Sequence, residues 1–554
     1  MVVLVRYVLE PVADIQKRMM MFGFFGSYHQ DVSWPTGMLP VAPVRRDYHH
    51  EAFCLTQLTQ DKFLKDKLFV ENERFFYAVE GVLFDDNASH LITWHKEEGL
   101  SCLQRLRGSF VGIIYDKQTD ELIIYNDQVG SKLLYYTITE TGVVFASDIS
   151  ALTAVLPHPT PDTAYINELL DYSYVSTDHS MVADIRRLCA GNYIRCRGNK
   201  VDICTYHRFK HRTPERQSRE TIVANIDRLF RQAVQRVIDK NEAEGLKHYF
   251  PLSGGLDSRM AVWVATQMVH QPIDIFNYAQ SGHYDHEVSK TIAKHLGHSH
   301  EFMPLDGGDY LAQIDEIAET SNYSIDYNGP AEIYTFLQRP HNWSHTGVVL
   351  TGVSGDIVLD TEVREKQDIA RIYGLGFCCN MHVTPLMLQT VTESYSPYTD
   401  VDFLEYVLHI DHRLRYNYAI YDQWIKTCYP EAAQWHHEFQ AIGKRRPMVF
   451  IGGRCMPLKD VPKRLIMYVL RQLRLYDAYQ ERAGLSMNPY DTWYRENTTL
   501  RTKLDTYFQT YLPLLDSLPE IKHRAKTQYT TGSMLQKSRV LTVLSAMRWI
   551  ARIG

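Results

Sequence analysis

The chain is poor in cysteine: its 554 residues include nine, and none forms a C-x-x-C pair. Cys378 and Cys379 are adjacent, while Cys189, Cys196 and Cys204 are scattered singly. An odd, dispersed set of this kind gives neither a disulfide framework nor a zinc ligand pattern, and it predicts reduced thiols in a cytoplasmic protein. Long apolar runs are also missing. No stretch reaches about 18 consecutive apolar residues, so no membrane span is expected. The opening run MVVLVRYVLEPVAD contains Arg6 and is soon followed by Glu10, which makes it a poor signal peptide and a plausible strand. A basic excess is absent as well: 59 Lys+Arg face 65 Asp+Glu for a formal charge of −6, leaving no electrostatic footprint for nucleic acid. What remains is an ordinary composition, 45% hydrophobic and 22% charged, on a length that favours roughly three to four structural units.

The sequence is organised around Tyr249-Phe-Pro-Leu-Ser-Gly-Gly-Leu-Asp-Ser-Arg259. A short apolar run, Tyr249 to Leu252, predicts a buried strand; two glycines follow, and Leu256 to Val269 carries apolar residues at helical spacing. A strand, a tight turn and a helix start aim free N–H groups and a positive dipole end at whatever lies over the loop. Gly254 and Gly255 permit close backbone approach, and Ser253 and Ser258 offer hydroxyls. Asp257 places a carboxylate where a phosphate-bound Mg²⁺ needs an oxygen ligand. The loop lacks the spacing G-x-x-x-x-G-K-[ST], so a kinase or GTPase of that kind is not supported.

The string Ser253-Gly-Gly-Leu-Asp-Ser258 resembles the pyrophosphate loop of the ATP pyrophosphatases, the group that includes asparagine synthetase. In that family the loop holds the β- and γ-phosphates while a substrate carboxylate attacks the α-phosphorus. A second string, Val348-Val-Leu-Thr-Gly-Val-Ser-Gly-Asp-Ile-Val358, resembles the family's other Gly-rich loop, whose Asp completes a Mg²⁺ site; Asp356 takes that position. Between them, Asp285, Ala293, Leu296, Gly297 and His300 match a further family segment. Five histidines with Asp285 and Glu287 in residues 281–300 also invite a metal-site reading, but no H-E-x-x-H spacing occurs. The resemblance thus implies Asp257, Asp356 and Asp285 as catalytic residues, with Asp257 and Asp356 as Mg²⁺ ligands. It implies Ser253, Gly254, Gly255, Leu256, Asp257, Ser258, Arg259, Gly352 and Gly355 as the ATP cradle.

Residues 1 to about 210 read as β-rich, with strands expected at Val2–Val8, Phe75–Phe84, Phe110–Tyr115, Leu122–Tyr125, Leu133–Thr137 and Val143–Ala146. Three strings in this region, Leu106–Asp116, Tyr125–Tyr136 and Phe145–Asp148, resemble in order and spacing the glutamine amidotransferase domain of asparagine synthetase. That domain's chemistry uses a cysteine exposed by Met removal. Here the residue is Val2, Glu80 stands where the family has an oxyanion-contacting Asn, and no GSD segment occurs in 87–99. The amidotransferase fold is therefore expected without its glutaminase. The family's catalytic Lys falls near Tyr418, with Arg413, Arg415, Lys426 and Lys444 as the nearest cations, and its Glu in the second loop aligns with Val353.

The expected architecture has three parts. Residues 1–210 form a degenerate amidotransferase-like α+β domain, an Ntn-type β-sandwich flanked by helices. Residues 211–455 form a doubly wound α/β synthetase domain on a parallel sheet, and 456–554 a helical extension packed on it. The helix over Gln536–Ile553 has Val540, Leu544, Met547 and Ile550 on one face with Lys537, Arg539, Arg548 and Arg552 around it, so docking on its own domain and lying on a membrane surface are both open. The function implied is an ATP- and Mg²⁺-dependent, AMP-forming amide ligase that joins a small-molecule, peptide or sugar carboxylate to ammonia or an amine. A homodimer is a candidate assembly, and a catalytically inactive nucleotide-binding scaffold is the alternative.

Overall fold

Two antiparallel sheets fill the N-terminal half. One has the spatial order Val5–Tyr7, Val44–His50, Phe53–Thr59, Gly23–Tyr28, Val143–Ala146, Tyr135–Ile138, Arg186–Arg187. The other runs Lys200–Thr205, Asn192–Arg197, Glu121–Asn126, Gly108–Asp116, Phe75–Leu83, Phe69–Glu71. The structure, a computed structural model, describes residues 5–7, 21–34, 39, 41–211, 217–361, 365–435, 448–451, 454–458, 461–473, 475 and 486–553. Val2 and Lys444 lie outside these described residues.

The period-2 geometry of strands explains the layering. Phe76 and Ala78, Val111 and Ile113, and Leu122 and Ile124 share a core with Phe24, Tyr28, Phe53 and Leu55 of the facing sheet. Their chain neighbours Tyr77, Val79, Ile114, Ile123 and Tyr125 point the other way, onto Leu91 and Leu103 of the helical segment 87–105. On the far side Phe25, Tyr135, Val144 and Ala146 join a core with Tyr165, Ile166 and Leu169 of the helix Thr163–Tyr172. The central strands of both sheets, such as Gly23–Tyr28 and Gly108–Asp116, are therefore buried on two faces. This is why Gly23–Tyr28, buried at every position, shows no alternation and was not an expected strand.

The second half opens on the long helix Arg219–Ala243, begun by Ser218, whose Oγ accepts from the Thr221 N–H at 3.1 Å. Beyond it, Tyr249–Pro251, Asp274–Ala279 and Ser299–Pro304 are parallel neighbours, and Val349–Leu350 pairs parallel with Ser394–Tyr395. A parallel bridge between Lys247 and Thr346 joins the two groups. The chain leaves this junction in opposite directions, so the carboxyl ends of Tyr249–Pro251 and Val349–Leu350 lie side by side. Open α/β sheets hold ligands at such a reversal.

The C-terminal helices cover both halves. In Met534–Ile553 the stripe Val540, Leu544, Met547, Ile550 is buried. Arg548 pairs with Asp315, and Arg539 donates to Ser173 Oγ at 2.7 Å and to the Asp171 carbonyl at 2.7 Å. The membrane-surface reading of this helix is thus corrected: protein already covers its apolar face. No helix among the described residues is long and apolar enough to cross a membrane.

Under this helix Asp326 is 4% exposed and accepts from Ser538 Oγ at 3.2 Å. Burial pushes its carboxyl up to about 6, with Arg539 and the Ser173 and Ser538 hydroxyls opposing the shift. A carboxyl raised on folding stabilises the fold below its unfolded value near 4 and loses that contribution as pH rises through about 6. Asp326→Asn should therefore gain melting temperature relative to the parent as pH rises from 4 to 7. Thermal scans across that range check it, and parallel curves would exclude the assignment.

The two halves meet at a buried ionic cluster. Glu80 accepts from Gln57 Nε2 and Thr59 Oγ1, each at 2.8 Å. Lys67, 1% exposed, lies 3.8 Å from Glu80 and 3.7 Å from Glu393 of the second half. Lys132 reaches Glu393 at 2.8 Å, and Lys62 donates to the Trp343 and Thr346 carbonyls and to Thr392 Oγ1.

Candidate active site

The loop after Tyr249–Pro251 is braced by its own hydroxyls and by neighbours on three sides. Ser258 Oγ accepts from the Ser253 N–H at 3.0 Å and contacts Ser253 Oγ at 2.8 Å, while Ser253 Oγ accepts from the Gly255 N–H at 3.2 Å. Leu256 opens the helix Leu256–Thr266, so the loop leads straight into a helix N-terminus, as the sequence predicts.

Asp257 stands on the first turn of that helix and links the two Gly-rich loops. Its Oδ2 accepts from the Asp356 N–H at 2.8 Å, and its Oδ1 from Tyr421 OH at 2.9 Å. Tyr398 OH bonds Tyr421 OH at 2.6 Å and donates to the Asp257 carbonyl at 3.2 Å. Burial, and then the Asp356 carboxylate, raise the Asp257 carboxyl above its ordinary range. Two mutually repelling carboxylates of this kind are stabilised by a cation between them.

Glycine is required where the loops touch. A Cβ on Gly352 would sit 2.2 Å from Ser258 N, and one on Gly355 would sit 2.4 Å from the Asp257 carboxyl carbon. Between them Ser354 adopts φ 71°, the left-handed region that favours glycine. Such a conformation costs about 1–3 kcal/mol and is characteristic of functional loops.

A cavity of about 440 Å³ opens over both loops. Ser253, Gly255, Leu256, Asp257, Ser258, Gly352 and Asp356 line it. Three expected residues are placed differently. Arg259 is fully buried behind the loop, where its guanidinium donates to the Gly254 and Trp435 carbonyls at 2.9 Å each. It shapes the loop from within and does not line the cavity. The Gly254 N–H is turned to Asp285 Oδ1 at 2.8 Å, so Asp285, which also lines the cavity, buttresses the loop. Gly355 packs on the Asp257 carboxylate.

No Lys, Arg or His among the described residues lines the cavity. Arg415 is buried against Asp368 at 2.6 Å, Arg413 is paired with Asp411 on the surface, and Lys426 is exposed. Tyr418 lines the cavity at the place of the family's Lys, with φ 58°. Sequence reasoning missed Glu332, Tyr278, Thr384 and Met487, which complete the wall. They come from four separate segments, and only the spacing of Glu332 from the second loop could have drawn attention to it. Among the described residues no group of three or more His, Cys, Asp or Glu is placed to hold a metal, which corrects the metal-site reading of 281–300.

Residues 84–207 match the glutamine amidotransferase domain family, and residues 225–367 match the asparagine synthase family. The matched segments and the curated relatives are asparagine synthetase-like. It is 23% identical over 265 residues to asparagine synthetase [glutamine-hydrolyzing] 1 of Bacillus subtilis (strain 168), covering 47% of this chain and 40% of that protein. It is 24% identical over 340 residues to a probable asparagine synthetase of Acanthamoeba polyphaga mimivirus, covering 57% and 58%. The chain thus spans about half the length of the curated relatives it matches. A glutamine phosphoribosylpyrophosphate amidotransferase from B. subtilis, solved with ADP and GMP, aligns at 10% identity and TM-score 0.23 over 51% of this chain and 60% of that one, too distant to bear on the site. The two family matches cover residues 84–207 of the strand-rich half and the segment carrying both Gly-rich loops.

Proposed function

We propose that this chain is an ATP-dependent carbon–nitrogen ligase that adenylates a substrate carboxylate and passes the acyl group to ammonia or an amine. The observation that carries this reading is the convergence of two loops on one cavity: Ser253–Ser258 supplies hydroxyls and a helix N-terminus, and Gly352–Asp356 supplies a second carboxylate facing Asp257. In the first step a carboxylate oxygen attacks the α-phosphorus of ATP, the bond to the β-phosphate oxygen breaks, and pyrophosphate leaves. Charge grows on that leaving group, so backbone N–H groups and the helix dipole aimed at it stabilise departure.

Asp257 and Asp356 suit Mg²⁺, which binds through one or two carboxylates plus substrate phosphates and needs no all-protein cage. Bound there, Mg²⁺ would neutralise the phosphate charge. The two Asp hold the loops in register through the Asp257 bond to the Asp356 N–H.

The N-terminal half keeps an amidotransferase-like fold without glutaminase in this reading. The Glu80 carboxylate, at the position where the resemblance has an Asn, is already engaged by Gln57 and Thr59. Nitrogen then enters as ammonia or an amine.

The test is ATP–pyrophosphate exchange with Mg²⁺ across aspartate, uronic acids, N-carboxylated amino acids and short peptides. Exchange that depends on one acid class and falls by about 10³-fold in Asp257→Ala is the expected result. ATP binding detectable by calorimetry with no exchange on any acid would reject ligase activity in favour of a nucleotide-binding scaffold.

A further inference from the structure

The cavity wall carries a carboxylate from outside the two loops that adenylation does not use. Glu332 lies in the first turn of Ala331–Leu337 and lines the cavity together with Asp257, Asp285 and Asp356. Its Oε1 accepts from both Asn488 Nδ2 and Tyr490 OH, the latter at 3.0 Å. No donor among the described residues reaches Oε2.

The strand-adjacent residue Gln280 fixes the same C-terminal segment by donating to the Ser486 and Met487 carbonyls at 3.1 and 3.0 Å. Glu332 is thus held rigidly by one oxygen while the other is left for a ligand. The groups that act on it electrostatically are Asp285 and the phenols Tyr278, Tyr310 and Tyr490. Burial raises all three phenols, so they stay neutral and contribute no positive charge.

Charge balance identifies the ligand. Four carboxylates line this cavity, no cation among the described residues does, and ATP adds more negative charge. A metal held by Asp257 and Asp356 would balance those two carboxylates. Glu332, which belongs to neither loop, still lacks a counter-charge, and the second half of the reaction brings one, because ammonia and primary amines are protonated near neutral pH.

We propose that Glu332 is the seat of the nitrogen nucleophile, binding its ammonium group and accepting one of its protons as the amine attacks the acyl-adenylate. This rests on the ligase reading above. In the step, Glu332 Oε2 takes a proton from R–NH₃⁺, and the freed lone pair forms the C–N bond. The C–O bond to AMP breaks, AMP leaves with the electron pair, and the second nitrogen proton passes to solvent. Burial, reinforced by Asp285, pushes the Glu332 carboxyl up to about 7 against the bonds from Tyr490 and Asn488. A base matched to neutral pH is the efficient one for this transfer.

Glu332→Gln preserves an oxygen for Asn488 and Tyr490 and removes the base. With the acid that supports exchange, the variant should keep ATP–pyrophosphate exchange within about threefold and lose about 10²–10⁴-fold in amide formation from ammonium chloride or methylamine. Hydroxylamine, largely unprotonated at neutral pH, should restore product as the hydroxamate. Comparing ammonium with methylamine separates free ammonia from a substrate-borne amine as the source. Tyr490→Phe, which loosens the anchoring but keeps the carboxylate, should not copy the defect. Loss of exchange in Glu332→Gln with ATP binding intact would overturn the assignment, as would amide formation at the parent rate or failure of hydroxylamine to rescue. Absence of exchange in the parent chain would instead overturn adenylation itself, and this role with it.

Discussion

Gly352→Ala should reduce carboxylate-dependent ATP–pyrophosphate exchange by about 10²-fold or more, because a misplacement of about 1 Å at reacting groups costs that much. The added Cβ would stand 2.2 Å from Ser258 N, 2.5 Å from the Asp257 carbonyl carbon and 2.6 Å from Ser258 Cα. These are backbone atoms at the start of Leu256–Thr266, and no rotamer change can move them aside. The second loop must retreat, carrying the Asp356 N–H away from Asp257 Oδ2 and Asp356 away from the phosphate site. Overpacking of this kind also costs about 1–3 kcal/mol of stability. Exchange assays beside thermal melts decide the matter: a folded variant with activity within a few-fold of the parent would show that contact between the loops is not needed.

Glu393→Ala should destabilise the contact between the two halves by about 3–5 kcal/mol, the cost of leaving buried charge without its counter-ion. Glu393 is 2% exposed and faces two ammonium groups, Lys132 at 2.8 Å and Lys67 at 3.7 Å, both donated by the other half. Removing it leaves the pair with Glu80 alone, 3.8 Å from Lys67. Lys62, already lowered to about 7 by burial and by Lys67, shows how little positive charge this region tolerates. Urea unfolding followed by tryptophan fluorescence should show the midpoint falling, and Lys67→Met in the same chain should recover part of the loss. An unchanged midpoint would mean that water already screens the cluster.

The cluster also illustrates what the sequence could not announce. Glu80 stands out only against the family's Asn, and Glu393 has no motif around it; their meeting is a property of two halves brought together across 313 positions of chain. Glu332 is similar. It precedes the second loop by some twenty residues, and its partners Asn488 and Tyr490 lie 156 and 158 residues further along the chain. Arg259 is the converse: adjacency to the loop made it an expected phosphate ligand, yet the helical turn directs it inward onto the Gly254 and Trp435 carbonyls. The strand Gly23–Tyr28 escaped because a strand covered on both faces loses its alternation.

Sequence by itself determined what depends on a few contiguous residues. The strand, glycine turn and helix at Tyr249–Thr266 follow from local spacing, as do the second loop at Thr351–Asp356, the amphipathic helix Arg219–Ala243 and the motif order of the N-terminal half. Backbone geometry is set within one or two turns of chain, so such pieces are legible wherever they occur. Tertiary structure alone decided which carboxylates share a cavity, which cations are spent elsewhere and how the halves are joined. Those outcomes depend on burial and charge balance between distant segments, and no local pattern encodes them.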